Sequence, residues 1–383
     1  MKWEKVKLSE VTEYITDGDH QPAPKSDSGV LFVKIKDIQD NRLTFDNALF
    51  VPQEYYNRLP KNRKAEYGDT LYTVVGSYGI PAFVNHNIPF CFERNIALLH
   101  PNNRVIPKYL YYAVNNPIFY GNANNIANGS AQKLIPLSKL AGMEISVPPI
   151  ERQETIVNIL SAYDDLIENN QKQIKLLEEA AQRLYKEWFI DLRFPGHENV
   201  KIVDGVPEGW ERMVLSEVTS ILKRGISPKY SDNGKYSVIN QKCIRSSIMD
   251  ISESRRQEKE YVPTLNLQDS DTVICSTGTG TLGRVGRVYG DYPNTTFDSH
   301  VTLVRAKENP NYIYHVVKSQ QEYLMGMGRG STNQQELYRD VIERLVVLCP
   351  SQDILLKAER VLNAIHCKIK AVYLQNNLLV ESR

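Results

Sequence analysis

The residues Gly278-Thr279-Gly280-Thr281-Leu282-Gly283 follow a β-rich run, and Asp298 lies twenty residues beyond Gly278. On paper this is the loop-and-acid fingerprint of a dinucleotide site. Such a loop works only if a helix begins at its last glycine and turns its N-terminal amides onto the pyrophosphate. Here Arg284 to Pro293 carries two more glycines, β-branched residues and a proline, which predicts a tight connection between strands. A methyltransferase would need an Asn-Pro-Pro-aromatic turn; the nearest match, Asn116-Pro117-Ile118-Phe119, lacks the second proline and has no glycine-rich loop upstream. No lysine-ending phosphate loop of the motor type occurs. The seven histidines (His20, His86, His100, His197, His300, His315, His366) show no HExxH or other paired spacing. The five cysteines (Cys91, Cys243, Cys275, Cys349, Cys367) form no CxxC pair and are expected as buried free thiols. The expectation is a chain with no catalytic residue, no metal and no cofactor of its own.

What remains is binding chemistry. The formal charge is only +1, but charge is uneven: Lys223 to Arg245 holds six basic residues (Lys223, Arg224, Lys229, Lys235, Lys242, Arg245) against Asp232 alone. A smaller cluster, Arg58, Lys61, Arg63 and Lys64, faces Glu66. Basic loops neutralise phosphates, while amides and hydroxyls at base edges set sequence preference. Glycine loops let backbone approach a groove closely, which singles out Ser77 and Tyr78 in Gly76-Ser77-Tyr78-Gly79 and Thr279 and Thr281 in the later loop. Amides beside basic residues give a second set: Asn128, Ser130 and Lys133, and Arg329, Ser331 and Asn333. Lys34 with Lys36, Lys229, and Asn240 with Lys242 form a third.

The elements carrying these residues occur twice. Trp3-Glu4-Lys5-Val6-Lys7-Leu8-Ser9-Glu10-Val11-Thr12 recurs from Trp210 to Thr219 with seven of ten positions identical, a period slightly above 200 residues. Gly68-Asp69-Thr70 is echoed by Ser270-Asp271-Thr272, and Pro107 to Val114 by Pro310 to Val317. Gly18 to Tyr67 shows little similarity to Gly225 to Ser270, so one scaffold carries two unlike inserts. β-rich runs over 30–35, 70–75 and 272–275 predict strands; the proline-led segments at 109–115 and 312–319 predict short helices.

Each copy ends in a long helical pattern. Between Glu151 and Phe189 there is no Pro or Gly, and Ile156, Leu160, Tyr163, Ile167, Ile174, Leu177, Ala181, Leu184 and Trp188 fall on a heptad seam with Asn170 in its one polar slot. From Gln352 to Arg383 a second stripe runs through Ile354, Ala358, Val361, Ile365, Ile369, Val372 and Leu379, with Asn376 in the polar slot. The two helices are expected to pack antiparallel, the asparagines fixing their register. Apolar residues make up 42% and charged residues 24% of the 383 residues, which excludes disorder throughout. The first residues alternate charge with apolar side chains, without a signal core, and no apolar run is long enough to span a bilayer; a cytoplasmic protein is expected.

With both Trp-Glu-x-x-x-Leu-Ser-Glu-Val openings, Pro148-Pro149-Ile150-Glu151-Arg152-Gln153, and the run Lys186-Glu187-Trp188-Phe189-Ile190-Asp191-Leu192-Arg193-Phe194-Pro195-Gly196 in view, the chain resembles the specificity (S) subunit of Type I restriction-modification systems over essentially its whole length. One departure is that the second copy reads Cys349-Pro350-Ser351-Gln352-Asp353-Ile354, with a single proline and a shifted glutamine. The resemblance implies an α+β fold of two pseudo-symmetric target-recognition domains (1–150 and 205–350), joined by two long antiparallel coiled-coil helices (151–204 with a linker, and 351–383). It implies a non-catalytic subunit whose halves each read one part of a bipartite double-stranded DNA target, with the helices setting the spacer. Its partners would be two copies of an adenine-N6 methyltransferase using S-adenosylmethionine and, in a full complex, endonuclease/translocase subunits using ATP and Mg. Gln153, Ile156, Leu160, Leu177, Leu184 and Trp188 are the residues expected at the partner contact. The alternatives are the specificity subunit of a stand-alone or Type II-like methylation complex, a nucleotide-binding or methyltransferase enzyme, and a solitary protein that pairs through the seam.

Overall fold

A computed structural model describes residues 3–46, 48–129, 133–330 and 335–383. Ser130, Ser331 and Asn333 lie outside the described residues. The chain divides into two compact units, 1–165 and 166–383.

The strands of the first unit are β1 (Glu4–Lys7), β2 (Thr12–Asp17), β3 (Val30–Val33), β4 (Leu49–Val51), β5 (Thr70–Thr73), β6 (Pro81–Phe83), β7 (Phe90–Phe92), β8 (Ile96–Pro101) and β9 (Glu144–Val147). An antiparallel sheet runs in the order β2-β8-β5-β6; a three-stranded sheet, β4-β3-β7, contains the parallel pair β3 and β7; β1 closes onto β9. The second unit has β10 (Glu211–Val214), β11 (Thr219–Arg224), β12 (Tyr236–Ile239), β13 (Arg255–Gln257), β14 (Thr272–Cys275), β15 (Val285–Arg287), β16 (Thr295–Phe297), β17 (Val301–Ala306) and β18 (Val346–Cys349). Its sheets, β11-β17-β14-β15, β13-β12-β16 and β10-β18, repeat these three sheets of the first unit strand for strand, while the first unit adds a short hairpin, Ile38–Gln39 with Arg42–Leu43. All four side chains of β5 and of β14 are buried, which is why these β-branched and aromatic runs stand in central positions.

The repeated aspartate before β5 and β14 has a structural task. Asp69 is buried, accepts from the Glu66 amide at 2.7 Å and lies 2.6 Å from His100 Nδ1. Asp271 accepts from the Gln268 amide at 2.8 Å and from Arg305 Nε and Nη2 at 2.7 Å each. Each carboxylate ties down the turn into its strand, with a different side-chain partner, His100 or Arg305.

Proline opens α1 (Pro107–Val114), α2 (Pro117–Ile126) and, in the second unit, α4 (Pro310–Ser319), at a position where its missing N–H costs nothing. The matched tyrosines Tyr109 and Tyr312 each donate a hydroxyl hydrogen bond to the closing strand, to Ser146 O and Leu348 O.

The long helix α3 spans Ile150–Tyr185 and continues through a π-helical turn over Lys186–Ile190. α5 (Gln321–Gly326) and α6 (Gln352–Ser382) complete the second unit. Ile156 and Val157 pack against the first unit's core. Within the second unit Ile174 and Leu177 pack with Ile365, Ile369 and Tyr373, so α3 and α6 run antiparallel there. Asn170 Nδ2 donates to Asn376 Oδ1 at 2.9 Å, and the expected polar slots face each other.

Three seam positions differ from the heptad reading. In α6 Val361 is 43% exposed and Leu362 takes the fully buried place. In α3 Tyr185 and Phe189 are buried, where Leu184 and Trp188 were expected to point inward and are half-buried. A straight helix drifts relative to a 3.5-residue repeat, so a strict heptad count slips by a position over several turns. The cysteines divide as well. Cys91, Cys243 and Cys275 are buried, but Cys349 is half-buried and Cys367, on the outer face of α6, is exposed.

Candidate nucleic-acid interface

In the first unit the β5–β6 connection brings two of the predicted segments together. Gly76 N donates to Lys133 O at 3.0 Å, joining the glycine loop to the segment that carries Asn128, itself paired with Leu134 in a β-bridge. The Tyr78 ring stacks on Tyr120 of α2 at 6.3 Å, and its hydroxyl donates to Asn124 Oδ1. Lys133 Nζ donates to the same oxygen at 3.1 Å and lies 5.9 Å from the Tyr78 ring centroid. Ser77 and Asn128 are exposed beside this cluster. Gly79 has φ +86, and a Cβ there would sit 2.6 Å from the Tyr120 ring, so only glycine permits the stack. Asn124 and Tyr120 were missed in the sequence because α2 carries no charge to attract attention.

The second unit repeats the arrangement with other chemistry. The 276–284 loop joins β14 to the antiparallel β15, and no helix follows it, so the dinucleotide pattern is a strand connector. Gly278 N approaches Gln335 O at 3.4 Å, and Arg329 pairs with Glu336, which brings the later polar segment to the loop. Thr279 is exposed. Thr281 turns inward, donating to Thr277 O at 2.9 Å and Gly278 O at 3.3 Å. This corrects its expected base-edge role, because its single O–H is already engaged in holding the turn. The Arg329 guanidinium rests 5.5 Å from the Tyr338 ring centroid.

The third predicted set occupies matched turns. Lys34 precedes and Lys36 lies within the 3-10 turn Ile35–Asp37 after β3, as Asn240 precedes and Lys242 lies within the turn Gln241–Cys243 after β12. Asp37 accepts from the Lys34 amide at 2.8 Å; Asn240 Oδ1 accepts from the Lys242 amide at 2.8 Å. Asn240 is buried, and its side chain caps the turn. Lys36 and Lys242 are exposed, while Lys34 lines a cleft of about 380 Å³ with Asp19, Glu93 and Arg94.

In each basic cluster part of the charge is already paired with acids. Lys229 meets Glu258 at 2.9 Å, Arg245 meets Glu253 at 3.6 Å, and Arg224 pairs with Glu336. Arg63 is held by Asp19 at 3.1 Å and Asp17 at 3.7 Å, and Lys61 lies 3.7 Å from Glu66. These acids return to the clusters from both near and distant positions in the sequence.

The predicted partner residues line the inner stripe of α3. Gln153 is fully buried, its Oε1 accepting from the Ile106 amide at 2.8 Å and its Nε2 donating to Pro148 O at 2.9 Å and Arg104 O at 3.1 Å. It docks α3 onto α1 and has no face left for another chain. Ile156 and Leu160 are half-buried in the first unit; Leu177, Leu184 and Trp188 are half-buried in the second. One stripe cannot serve both a seam and a partner. The exposed large apolar side chains of α3 are Ile150, Ile159, Leu166 and Leu176. In the second copy, where the Pro-Pro-x-x-x-Gln start is lost, Glu359 takes over the docking: it accepts from the Asn311 and Tyr312 amides at 3.1 and 2.9 Å. The Glu359 carboxylate, set against the first-turn amides of α4, also faces the positive end of that helix's dipole.

The scattered histidines hide one buried pair. His315 Nε2 and His366 Nε2 are 3.0 Å apart, and the Tyr289 hydroxyl is 2.7 Å from His366 Nδ1. Arg287, also buried, lies 5.2 Å from the Tyr314 ring centroid and donates to Asn311 Oδ1 at 2.6 Å. Burial first, then the Arg287 and Lys318 charges, push the His315 pKa down to about 3, and burial and Arg287 lower that of His366 too. His315 lies in α4 and His366 one position beyond Ile365 of the predicted stripe, so no periodic signal marks the pair. Among the described residues, no group of three or more His, Cys, Asp or Glu could hold a metal ion.

A duplicated α+β unit, with unlike side chains at matched loops and a long helix ending each copy, is the architecture of this chain. Comparison with known proteins gives the family. Residues 1–179 and 207–354 each match the Type I restriction modification DNA specificity domain, and the chain belongs to that family. It is 31% identical over 172 residues to the Type I restriction enzyme MjaIX specificity subunit of Methanocaldococcus jannaschii, covering 42% of this chain and 40% of that protein. The chain thus spans less than half the length of that relative. It is 21% identical to the Type I restriction enzyme HindI specificity subunit of Haemophilus influenzae, covering 92% of each. The crystal structure of a Type I restriction-modification S subunit from M. genitalium shares the fold at a TM-score of 0.58 and 16% identity, over 99% of this chain and 93% of that one. Among the described residues, no helix is long and apolar enough to cross a membrane.

Proposed function

We propose that this chain is the non-catalytic, sequence-reading subunit of a cytoplasmic Type I restriction-modification complex. Each unit reads one part of a bipartite duplex target. The contacts lie on the matched segments: Ser77, Tyr78, Asn128 and Lys133 with Lys34 and Lys36 in the first unit, and Thr279, Arg329 and Lys242 in the second. Lysines and arginines bind phosphates, and amides, hydroxyls and the Tyr78 edge meet bases. The paired helices fix the unread spacer, and their outward apolar residues recruit two adenine-N6 methyltransferase subunits. Those partners use S-adenosylmethionine and flip the target adenine out of the stack while this chain holds the duplex. An endonuclease/translocase, where present, supplies the ATP- and Mg-dependent step.

The observation that carries this reading is the strand-for-strand repeat of three sheets beneath unlike loops, Gly76-Ser77-Tyr78-Gly79 against Gly278-Thr279-Gly280-Thr281. It is tested by co-expressing the chain with a family methyltransferase subunit and mapping N6-methyladenine across the host genome. A split motif of two unlike halves around a fixed gap, absent without the chain, is the expected result. Methyl transfer by the purified chain alone contradicts it.

A further inference from the structure

A second cleft, of about 270 Å³, lies wholly within the second unit, walled by Glu178, Arg245, Ser247, Arg284, Lys318 and Gln321. Its wall gathers the cations Arg245, Arg284 and Lys318 and one carboxylate, Glu178, with Glu253 a further acid 3.6 Å from Arg245. The wall carboxylate is a weak counterweight: Glu178 accepts from the Ser247 hydroxyl, and burial raises its pKa. Lys318 Nζ donates to Gln321 Oε1 at 2.8 Å and to Val285 O at 3.3 Å, using two of its three protons. The Arg284 guanidinium, half-buried at the end of the 276–284 loop, has no hydrogen-bond or ion-pair partner among the described residues. Holding cations near a low-dielectric interior without matching anions is costly.

The scaffold does not demand them. In the duplicated first unit the position of Lys318 is occupied by Asn115 and that of Gln321 by Ile118, and the same helices form there. The charge therefore belongs to a task confined to the second unit. A compact anion with several oxygens would meet the free Arg284 fork, the third Lys318 proton and Arg245 together, and a phosphate group has that form.

We propose that this cleft is an oxyanion site that takes a phosphate group. Two sources share this chemistry: a backbone phosphate of the duplex, which rests on the DNA-reading function proposed above, and a free phosphate. Either is coupled to the reading loop, because Gln321 Oε1, which holds Lys318, also accepts from the Val285 amide at 3.0 Å where the loop enters β15.

The test uses the full chain and two variants, Arg284→Gln and Arg245→Gln, both at exposed or half-exposed side chains so that folding is preserved. Thermal midpoints are followed during titration with inorganic phosphate and with chloride at equal ionic strength. Binding of target duplex is then followed against salt. A saturable phosphate-specific rise in the wild type, absent in Arg284→Gln, supports the site. A loss of about 0.9 in the slope of log K against log salt for that variant assigns the occupant to a DNA backbone phosphate; an unchanged slope with the phosphate response lost assigns it to a free phosphate. If both variants match the wild type in both measurements, the proposal is overturned. Failure of the chain to bind any duplex would sink the DNA-reading function while leaving the phosphate titration to decide the site.

Discussion

The side-chain amides of Asn170 and Asn376 meet at 2.9 Å in the buried seam between α3 and α6, with Gln375 Oε1 a second acceptor at 3.2 Å. An amide pair in an apolar seam is satisfied in one register only. Asn170→Leu leaves the Asn376 amide buried without its partner, and a loss of about 1–3 kcal/mol is expected. The double variant with leucine at both positions recovers that stability and more, while losing the device that fixes register. Denaturation midpoints of the two single variants and the double variant check this; an additive double variant would contradict it.

Asn170 was legible because one polar residue broke an otherwise regular heptad, and Asn376 because the break was repeated. The β14 run and the proline-led helices were legible from local pattern. That Lys229, Arg245 and Arg224 of the basic run are paired was not legible, because Glu258, Glu253 and Glu336 lie outside it. The meeting of the glycine loops with the later polar segments was invisible, since isolated bridges such as Val75 with Leu134 have no periodic signature. His315 and His366 lie 51 positions apart, and only the packing of α4 on α6 joins them.

That pair makes stability depend on acidity. Both histidines are held neutral in the folded state, with Arg287 and Lys318 facing them, and the His315 pKa is lowered to about 3. In the unfolded chain they titrate near the ordinary value of about 6.5. Stability is therefore full above that pH and falls as acid is added, each histidine contributing up to about 1.4 kcal/mol per pH unit in the descent. Buried carboxylates such as Asp271 have raised pKa values and oppose the trend, so the difference between wild type and the double variant His315→Gln, His366→Gln isolates the histidines. Midpoints at pH 7.5, 6 and 5 should converge for the two proteins as pH falls. A constant difference would mean that the pair takes up protons without cost.

The outer and inner faces of α3 should respond oppositely. Leu176 is 64% and Ile159 55% exposed, and changing either to Glu is expected to abolish co-purification of a methyltransferase subunit with little change in melting temperature. Leu177→Ala, by contrast, should cost about 2–4 kcal/mol in stability through the cavity it leaves. Retained co-purification by both outer-face variants would move the partner surface off this helix.

If the helices measure the spacer, inserting one helical turn between Asn169 and Asn170 lengthens α3 by about 6 Å, close to two base pairs of duplex. The unread gap in the methylated motif should change while both half-sites stay the same. Altered half-sites with an unchanged gap would refute a measuring role.

The most direct test of two-part reading is to compare N6-methyladenine maps from cells co-expressing the methyltransferase with the wild type, with the Ser77→Ala, Tyr78→Ala variant, or with the Thr279→Ala, Arg329→Ala variant. The account predicts that the first variant relaxes one half of the split motif and the second relaxes the other, each leaving the opposite half and the gap intact. Loss of specificity in both halves from either variant, or a motif unchanged by both, would contradict it.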